Sequence, residues 1–123
     1  MPGQSAREVF EGLVVAALDS LPLDIADQME NVEVVVEDEP PPEVLAGVPR
    51  GGTVLGYYHG VPLTSRGYYS NVMPDKISIY RGPITRLART PERIREQVRK
   101  TVIHEIAHHF GIDDDRLQEL GWG

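Results

Sequence analysis

The sequence predicts a small α+β domain in which helices at both ends of the chain enclose a β-rich middle. The two ends repeat apolar residues at helical spacing, whereas the middle holds short β-branched and alternating segments, an order typical of α+β folds. A length of 123 residues is that of one domain, so we expect residues 1–123 to form a single core. With 41% hydrophobic and 25% charged residues, the composition is that of a globular protein.

The first predicted helix covers residues 5–20. Ser5 and Glu8 have the spacing of a capping box, in which a hydroxyl and a carboxylate satisfy backbone amides at the helix start. One apolar stripe follows at helical spacing, formed by Val9, Phe10, Leu13, Val14, Ala17 and Leu18. Pro22 suits the first turn of a second, shorter helix that we expect to extend to residue 29.

Two segments predict isolated strands. Residues 32–37 are rich in valine and too few for a stable helix, and the prolines at positions 40–42 end the strand because proline cannot donate to a ladder. Residues 76–80 alternate between polar and apolar side chains, which indicates a second strand that ends at Gly82-Pro83.

A hairpin is predicted between these two strands. Residues 53–58 and 61–64 flank the dipeptide His59-Gly60, a connection of the length that joins paired antiparallel strands. Residues 66–71 have the composition of a loop. These segments complete the β-rich middle of the chain.

The long C-terminal helix has clear start and stop signals. Thr90 offers a capping hydroxyl, Pro91 suits the first helical position, and Glu92 places an acid in the first turn. The helix should continue to Phe110 and stop at Gly111, which can adopt the left-handed conformation that ends many helices.

The composition excludes several classes of protein and of site. The chain has no cysteine, which excludes disulfides and thiolate-based metal sites, so a metal must be held by imidazole and carboxylate. A formal charge of −7 is the wrong sign for a protein that binds the phosphate backbone, and we predict no nucleic-acid partner. No apolar run approaches the ~20 residues of a membrane span. The first residues lack the basic and apolar regions of a signal peptide, which favours a cytoplasmic protein.

A metal-binding motif lies inside the long C-terminal helix, at His104-Glu105-Ile106-Ala107-His108. At 100° per residue, His104 and His108 are about 40° apart and one turn along the same face, so both imidazoles can point at one ion. Glu105 lies about 100° from His104, close enough to reach a water molecule on that ion. This H-E-x-x-H pattern places two ligands and a general base on one rigid element.

The opposite face of that helix is apolar. Val102, Ile106 and Phe110 lie about 160–240° around the helix from His104, and Ile94 and Val98 lead into the same stripe. We therefore expect one side of the helix to anchor it in the core while the other carries the ligands.

A third ligand is predicted after the helix, because the chain from His108 has the pattern H-x-x-G-x-x-D. A helix that ends at Gly111 turns the chain back towards the ion, and Asp114 then occupies the ligand position. Asp113 and Asp115 are the alternatives, since all three acids also suit a helix cap. Two imidazoles, one carboxylate and a water molecule form a zinc site with an open position. We predict one Zn²⁺ per chain, with another divalent ion as the alternative.

The segment over residues 101–114, with its pattern H-E-x-x-H-x-x-G-x-x-D, resembles the minimal zincin family of metallopeptidases. Residues 35–41, 60–64 and 79–83 are also similar to that family, so the resemblance covers most of the chain. It implies a reduced metalloprotease core, in which a small mixed β-sheet packs with an active-site helix and an N-terminal helix.

The same resemblance implies roles for individual residues. His104, His108 and Asp114 would be the metal ligands and Glu105 the catalytic base. Larger relatives, the metzincins, place a methionine turn after the third ligand, but all three methionines here precede the motif. Met73 is then the candidate to form the floor of the site from elsewhere in the sequence.

The leading functional hypothesis is metal-assisted hydrolysis of a peptide bond in a peptide or protein substrate. Glu105 would take a proton from water and deliver it to the leaving amine, and the strand region over residues 53–64 would pair with an extended substrate. The alternative is a non-catalytic metal-binding or peptide-binding module, because so small a domain offers few walls for a specificity cleft. The oligomeric state is left open.

Other histidines and tyrosines receive weaker predictions. His109 lies about 140° from His104, so we expect it to form a hydrogen bond at the edge of the site rather than to ligate. His59, on the predicted turn, is expected at the surface. The tyrosines are expected to pack in the core or on the sheet, with Tyr68 and Tyr69 as candidates to stabilise an oxyanion.

Overall fold

The computed structural model describes residues 5–21, 23, 32–48, 54–60, 75–112 and 114–119. The elements are, in chain order, α1 (Ala6–Asp19), β1 (Val32–Glu37), α2 (Pro42–Leu45), β2 (Gly56–His59), β3 (Asp75–Tyr80), α3 (Arg81–Leu87), α4 (Pro91–His109) and α5 (Asp114–Glu119). This combination of helices with a small mixed sheet confirms the predicted α+β class.

The first helix begins at the predicted capping box. The Ser5 hydroxyl accepts a hydrogen bond from the Glu8 amide at 3.2 Å, and the Glu8 carboxylate accepts one from the Ser5 amide at 3.3 Å. The helix buries Phe10, Val14 and Ala17, which belong to the predicted apolar stripe. The predicted helix over residues 22–29 lies outside the described residues, apart from residue 23.

The sheet has three strands in the order β1-β3-β2. β1 lies parallel to β3, with a register that pairs Val34 with Ile77. β2 lies antiparallel to β3 and pairs Tyr58 with the same Ile77. Both predicted isolated strands are therefore confirmed, and the central strand β3 carries the fully buried Ile77 and Ile79.

The predicted turn at His59-Gly60 is wrong in its first residue. His59 continues β2, because its backbone is paired with Lys76 of β3. In the described part of the chain, β2 pairs with β3, a strand that the sequence pattern did not assign to it. The predicted strand over residues 61–64 and the loop over residues 66–71 lie outside the described residues.

Two short helices were not predicted. α2 starts at Pro42, which suits the first turn because it has no amide hydrogen to leave unpaired. α3 follows β3 directly, and Pro83 lies in its first turn, where no intrahelical amide bond is lost. The Gly82 amide instead donates to the Asp38 carbonyl at 2.8 Å, which joins the start of α3 to the end of β1.

The core lies between one face of the sheet and the two longest helices. Ile77 and Ile79 from β3 pack with Phe10 of α1 and with the stripe of α4, in which Val98 and Val102 are fully buried. The predicted apolar anchor of α4 is thereby confirmed. No helix in the described part of the chain is both long and apolar enough to cross a membrane.

Candidate metal centre

The helix that carries the motif begins and ends where the sequence predicts. At the start of α4, the Thr90 hydroxyl accepts a hydrogen bond from the Arg93 amide at 3.2 Å, and Pro91 occupies the first turn. At the end, Gly111 has a φ of 78°, a conformation that costs glycine little because it has no Cβ.

The turn after α4 satisfies the last carbonyls of the helix. The Ile112 amide donates to the Ala107 carbonyl at 2.9 Å, and the Gly111 amide donates to the His108 carbonyl at 3.0 Å. This pair of bonds is the Schellman motif, which ends many helices. The next helix, α5, starts at Asp114.

Three side chains of the motif form one cluster on α4. His104, Glu105 and His108 each offer a potential ligand atom, and these atoms lie within 4.8 Å of one another. The two imidazole rings have centroids 4.5 Å apart with an interplanar angle of 69°. Because the residues are one turn apart on a capped helix, the helix itself holds the cluster in place.

The cluster combines a buried carboxylate with half-buried imidazoles. The Glu105 residue is 6% exposed, while the His108 side chain is 34% exposed. Nδ1 of His108 lies 3.2 Å from Oε1 of Glu105, and since a carboxylate only accepts, Nδ1 is the donor. That bond leaves the lone pair of His108 on Nε2, the form in which imidazole ligates a metal.

Gly56 brings the edge strand β2 against this cluster. A Cβ at this position would lie 2.8 Å from Cγ2 of Thr101 and 3.2 Å from Cγ of Glu105. Only a residue without a side chain lets β2 come this close to α4. Among the described residues β2 pairs with β3 alone, which makes it an edge strand of the sheet.

A buried polar network joins the next turn of α4 to the sheet. The carboxylate of Asp75 accepts a hydrogen bond from the Tyr58 hydroxyl at 2.5 Å and one from Nδ1 of His109 at 2.9 Å. Asp75 is 2% exposed and His109 1% exposed. His109 thus forms a hydrogen bond as expected, but in the interior rather than at the edge of the site.

A second polar network lies on the other face of the sheet. Ser78 donates to Glu37 at 2.5 Å, and Nε2 of His59 lies 3.2 Å from the Ser78 hydroxyl oxygen. Burial, followed by the nearby Lys76 ammonium, lowers the pKa of His59 below its usual 6.5. His59 thus lies half buried on the surface of the sheet, where its ring contacts Ser78.

The structure brings together three of the four residues predicted for the site. His104, Glu105 and His108 form the cluster, and Asp114 is the first residue of α5. The side chain of Asp114 lies outside the described structure, as do several other residues with predicted roles, namely Tyr68, Tyr69, Met73 and Asp113. Asp115 is exposed on α5.

Sequence reasoning missed the residues that support the cluster from the sheet. Gly56, Tyr58 and Asp75 each contact residues of α4 that are at least 34 positions away along the chain. One signal was present, since Asp75 is an acid directly before the strand predicted over residues 76–80, but its partner could not be read from local spacing.

Comparison with known proteins identifies a family and a similar solved structure. A family model described as zincin-like metallopeptidase matches residues 29–122. The solved structure of a conserved hypothetical protein from Thermo thermophilus is similar to this chain, with 25% sequence identity and a TM-score of 0.55. The similarity covers 94% of this chain and 97% of the other. No curated protein sequence matches.

Proposed function

Because the chain belongs to the zincin-like metallopeptidase family, we propose that it is a zinc-dependent peptidase whose metal ligands are His104, His108 and Asp114. The observation that supports this proposal is the cluster of His104, Glu105 and His108, with ligand atoms within 4.8 Å of one another. Glu105 is the general base of the proposed reaction.

The donor set of the cluster fits zinc. Two imidazole nitrogens favour zinc over calcium and magnesium, which prefer sites made of oxygen atoms. The half-buried His108 is accessible to an ion from solvent, and the Glu105 carboxylate beside it is shielded from solvent. When bound, zinc supplies a Lewis acid that polarises a carbonyl and lowers the pKa of water towards ~7.

Glu105 moves the proton in this proposal. Its Oε1 accepts the hydrogen bond from His108, which orients the carboxylate and leaves Oε2 to accept a proton from water. The resulting hydroxide adds to the carbonyl carbon of the scissile bond. When the C–N bond breaks, Glu105 returns the proton to the leaving amine, so atoms and charge balance.

The edge of β2 is the proposed binding site for the substrate backbone. An extended peptide that adds to this edge forms main-chain hydrogen bonds with the strand. Since Gly56 of β2 lies against Glu105, a peptide bond paired at that end of the strand is brought close to the base.

The variant Glu105→Gln tests the proposal. We expect it to keep the wild-type zinc content, measured by elemental analysis, because the two histidines are unchanged. Cleavage of a broad peptide library, measured by mass spectrometry, should fall by about 10²–10⁴-fold, the usual contribution of a general base.

Glu96→Gln is the matched control, since Glu96 lies exposed on the same helix and pairs only with Arg99 among the described residues. It should cleave the library like the wild type. Equal cleavage by the wild type and Glu105→Gln would show that Glu105 is not the base. Zinc uptake with no cleavage by the wild type would support the alternative, a non-catalytic metal-binding module.

A further inference from the structure

Positive charge is concentrated in one part of this acidic chain. Residues 81–100 contain seven of the twelve lysines and arginines but only two of the nineteen acids. This segment therefore carries a formal charge of +5, whereas the rest of the chain carries −12. It corresponds to α3 and the first half of α4, and all of its basic residues except Arg81 are exposed.

Many of these cations are not neutralised by neighbours. Ion pairs join Arg81 to Asp38 at 3.0 Å and Arg86 to Glu39 at 2.8 Å. A third pair, at 2.8 Å, joins Arg99 to Glu96. The remaining four form no ion pair with any residue that the structure describes; they are Arg89, Arg93, Arg95 and Lys100. Such a field attracts a partner of opposite charge.

An apolar groove opens beside this basic surface. Its volume is about 460 Å³, and it lies between α1, α3 and the first turns of α4. Val9, Leu13 and Ile94 line its apolar wall. Two cations, Arg81 and Arg95, and one acid, Glu92, border it. Val9 on this wall is 50% exposed, so the groove presents apolar surface to solvent. We call this site the α1–α4 groove.

The groove is separate from the metal centre. Arg95 precedes His104 by nine residues on α4, which corresponds to about 14 Å along the helix axis. A molecule held in the groove would leave the cluster of His104, Glu105 and His108 accessible.

We propose that the α1–α4 groove is the docking site of an acidic, amphipathic segment of a partner protein. Large apolar side chains of that segment fill the groove, and its carboxylates meet Arg81 and Arg95 at the border of the groove. Both features are needed, because nucleic acid would pair with the arginines but would leave the apolar wall exposed to water. This inference rests on charge and shape and does not require peptidase activity.

Three synthetic peptides test the docking site by fluorescence anisotropy on the full chain. The first, of about four helical turns, carries Leu and Phe on one face and Glu on the other; the second replaces each Glu with Lys; the third scrambles the first. We expect the first to bind at least about tenfold more tightly than the others, and to weaken as salt rises from about 50 to 300 mM.

Paired variants locate the binding site. Val9→Gln should weaken binding of the acidic peptide at least about fivefold, while Val15→Gln, on the same helix and 55% exposed but outside the groove, should not. Arg95→Glu should weaken it at least as much, with the exposed Arg116→Glu as the control for total charge. Circular dichroism confirms that each variant is folded.

Several results would overturn the proposal. Equal binding of the acidic and basic peptides would remove the role of charge, and equal effects of Val9→Gln and Val15→Gln would place binding elsewhere. Tighter binding of duplex DNA or of anionic lipid vesicles than of the acidic peptide would assign the surface to another class of partner. Self-association that Arg95→Glu abolishes would assign it to a second copy of this chain.

Discussion

Gly56 is the residue whose size matters most for the candidate site. It lies where β2 packs against α4, and a Cβ there would also lie 3.1 Å from the Ser78 carbonyl oxygen. The three neighbours come from the helix and from the paired strand, so the strand cannot move away from one without meeting another. The close approach of β2 to Glu105 therefore depends on this glycine.

We expect Gly56→Ala to lower the free energy of unfolding by about 1–3 kcal/mol, the usual cost of an overpacked contact. Urea unfolding measures this change. Gly12→Ala is the matched control, since a Cβ at Gly12 on α1 meets no atom within 4 Å and alanine favours helix by about 0.5–1 kcal/mol. Equal stability of Gly56→Ala and the wild type would contradict the close packing.

His59 makes stability depend on pH. Its pKa in the folded chain is lowered, first by burial and then by Lys76, so as pH falls through 6.5 the unfolded chain binds a proton before the folded chain does. The stabilising contribution is thus complete above pH 6.5 and is lost as pH falls below it. We expect His59→Asn to lose less stability than the wild type between pH 7.5 and pH 5, measured by urea unfolding. Parallel pH profiles for the two proteins would contradict this account.

At the scale of elements, α4 combines the anchor and the site. Val98 and Val102 on one side are fully buried against the sheet, while His104 and His108 on another side remain half buried. At 19 residues, α4 is long enough to carry both the buried stripe and the cluster, and both of its ends are capped. The helix that packs in the core is therefore the one that carries the cluster.

The network around Asp75 fixes the sheet relative to that helix. Asp75 belongs to β3, Tyr58 to β2 and His109 to α4, so one buried carboxylate bonds to two other elements. We expect Asp75→Ala to cost about 3 kcal/mol in unfolding free energy, because it leaves buried donors without their acceptor. Tyr58→Phe should cost only about 1 kcal/mol, since it removes one hydroxyl.

Lys76→Ala is the control for Asp75→Ala, because Lys76 is the next residue, is half exposed and forms one ion pair with Glu37 at 3.7 Å. A pair of this kind contributes at most about 1 kcal/mol. If Asp75→Ala and Lys76→Ala were equally stable, the network would have no structural role.

At the scale of the whole molecule, a metal bound by the predicted ligands would connect the helices α4 and α5. His104 and His108 lie on α4, while Asp114 begins α5. An ion that binds all three joins two helices separated by the Schellman turn. A metal that binds the folded chain but not the unfolded chain raises the free energy of unfolding. This increase grows with the logarithm of the metal concentration.

Zinc at about 1,000 times its Kd should therefore add about 4 kcal/mol of stability, which corresponds to a rise in Tm of about 15 °C. Calorimetry before and after treatment with a chelator measures the rise. The double variant His104→Ala/His108→Ala should lose it. His59→Asn should keep it, because His59 lies outside the cluster. A rise retained by the double variant would place the ion elsewhere.

Local signals were enough to predict the two long helices and the isolated strands. The capping box at Ser5, the Thr90-Pro91 start and the stop at Gly111 act within a few residues, and each is observed. The helix α3 was missed because its formation follows from the bond between the Gly82 amide and the Asp38 carbonyl, 44 residues earlier in the chain.

The sequence by itself determined the cluster on α4, because the spacing of His104, Glu105 and His108 on any capped helix puts them on adjacent positions of one surface. Only the tertiary structure decided which strand lies beside Glu105, which carboxylate bonds to His109, and where the basic segment meets an apolar groove. Those facts depend on strand register and on contacts between distant segments. Their energies come from packing and buried hydrogen bonds that exist only once the chain has folded.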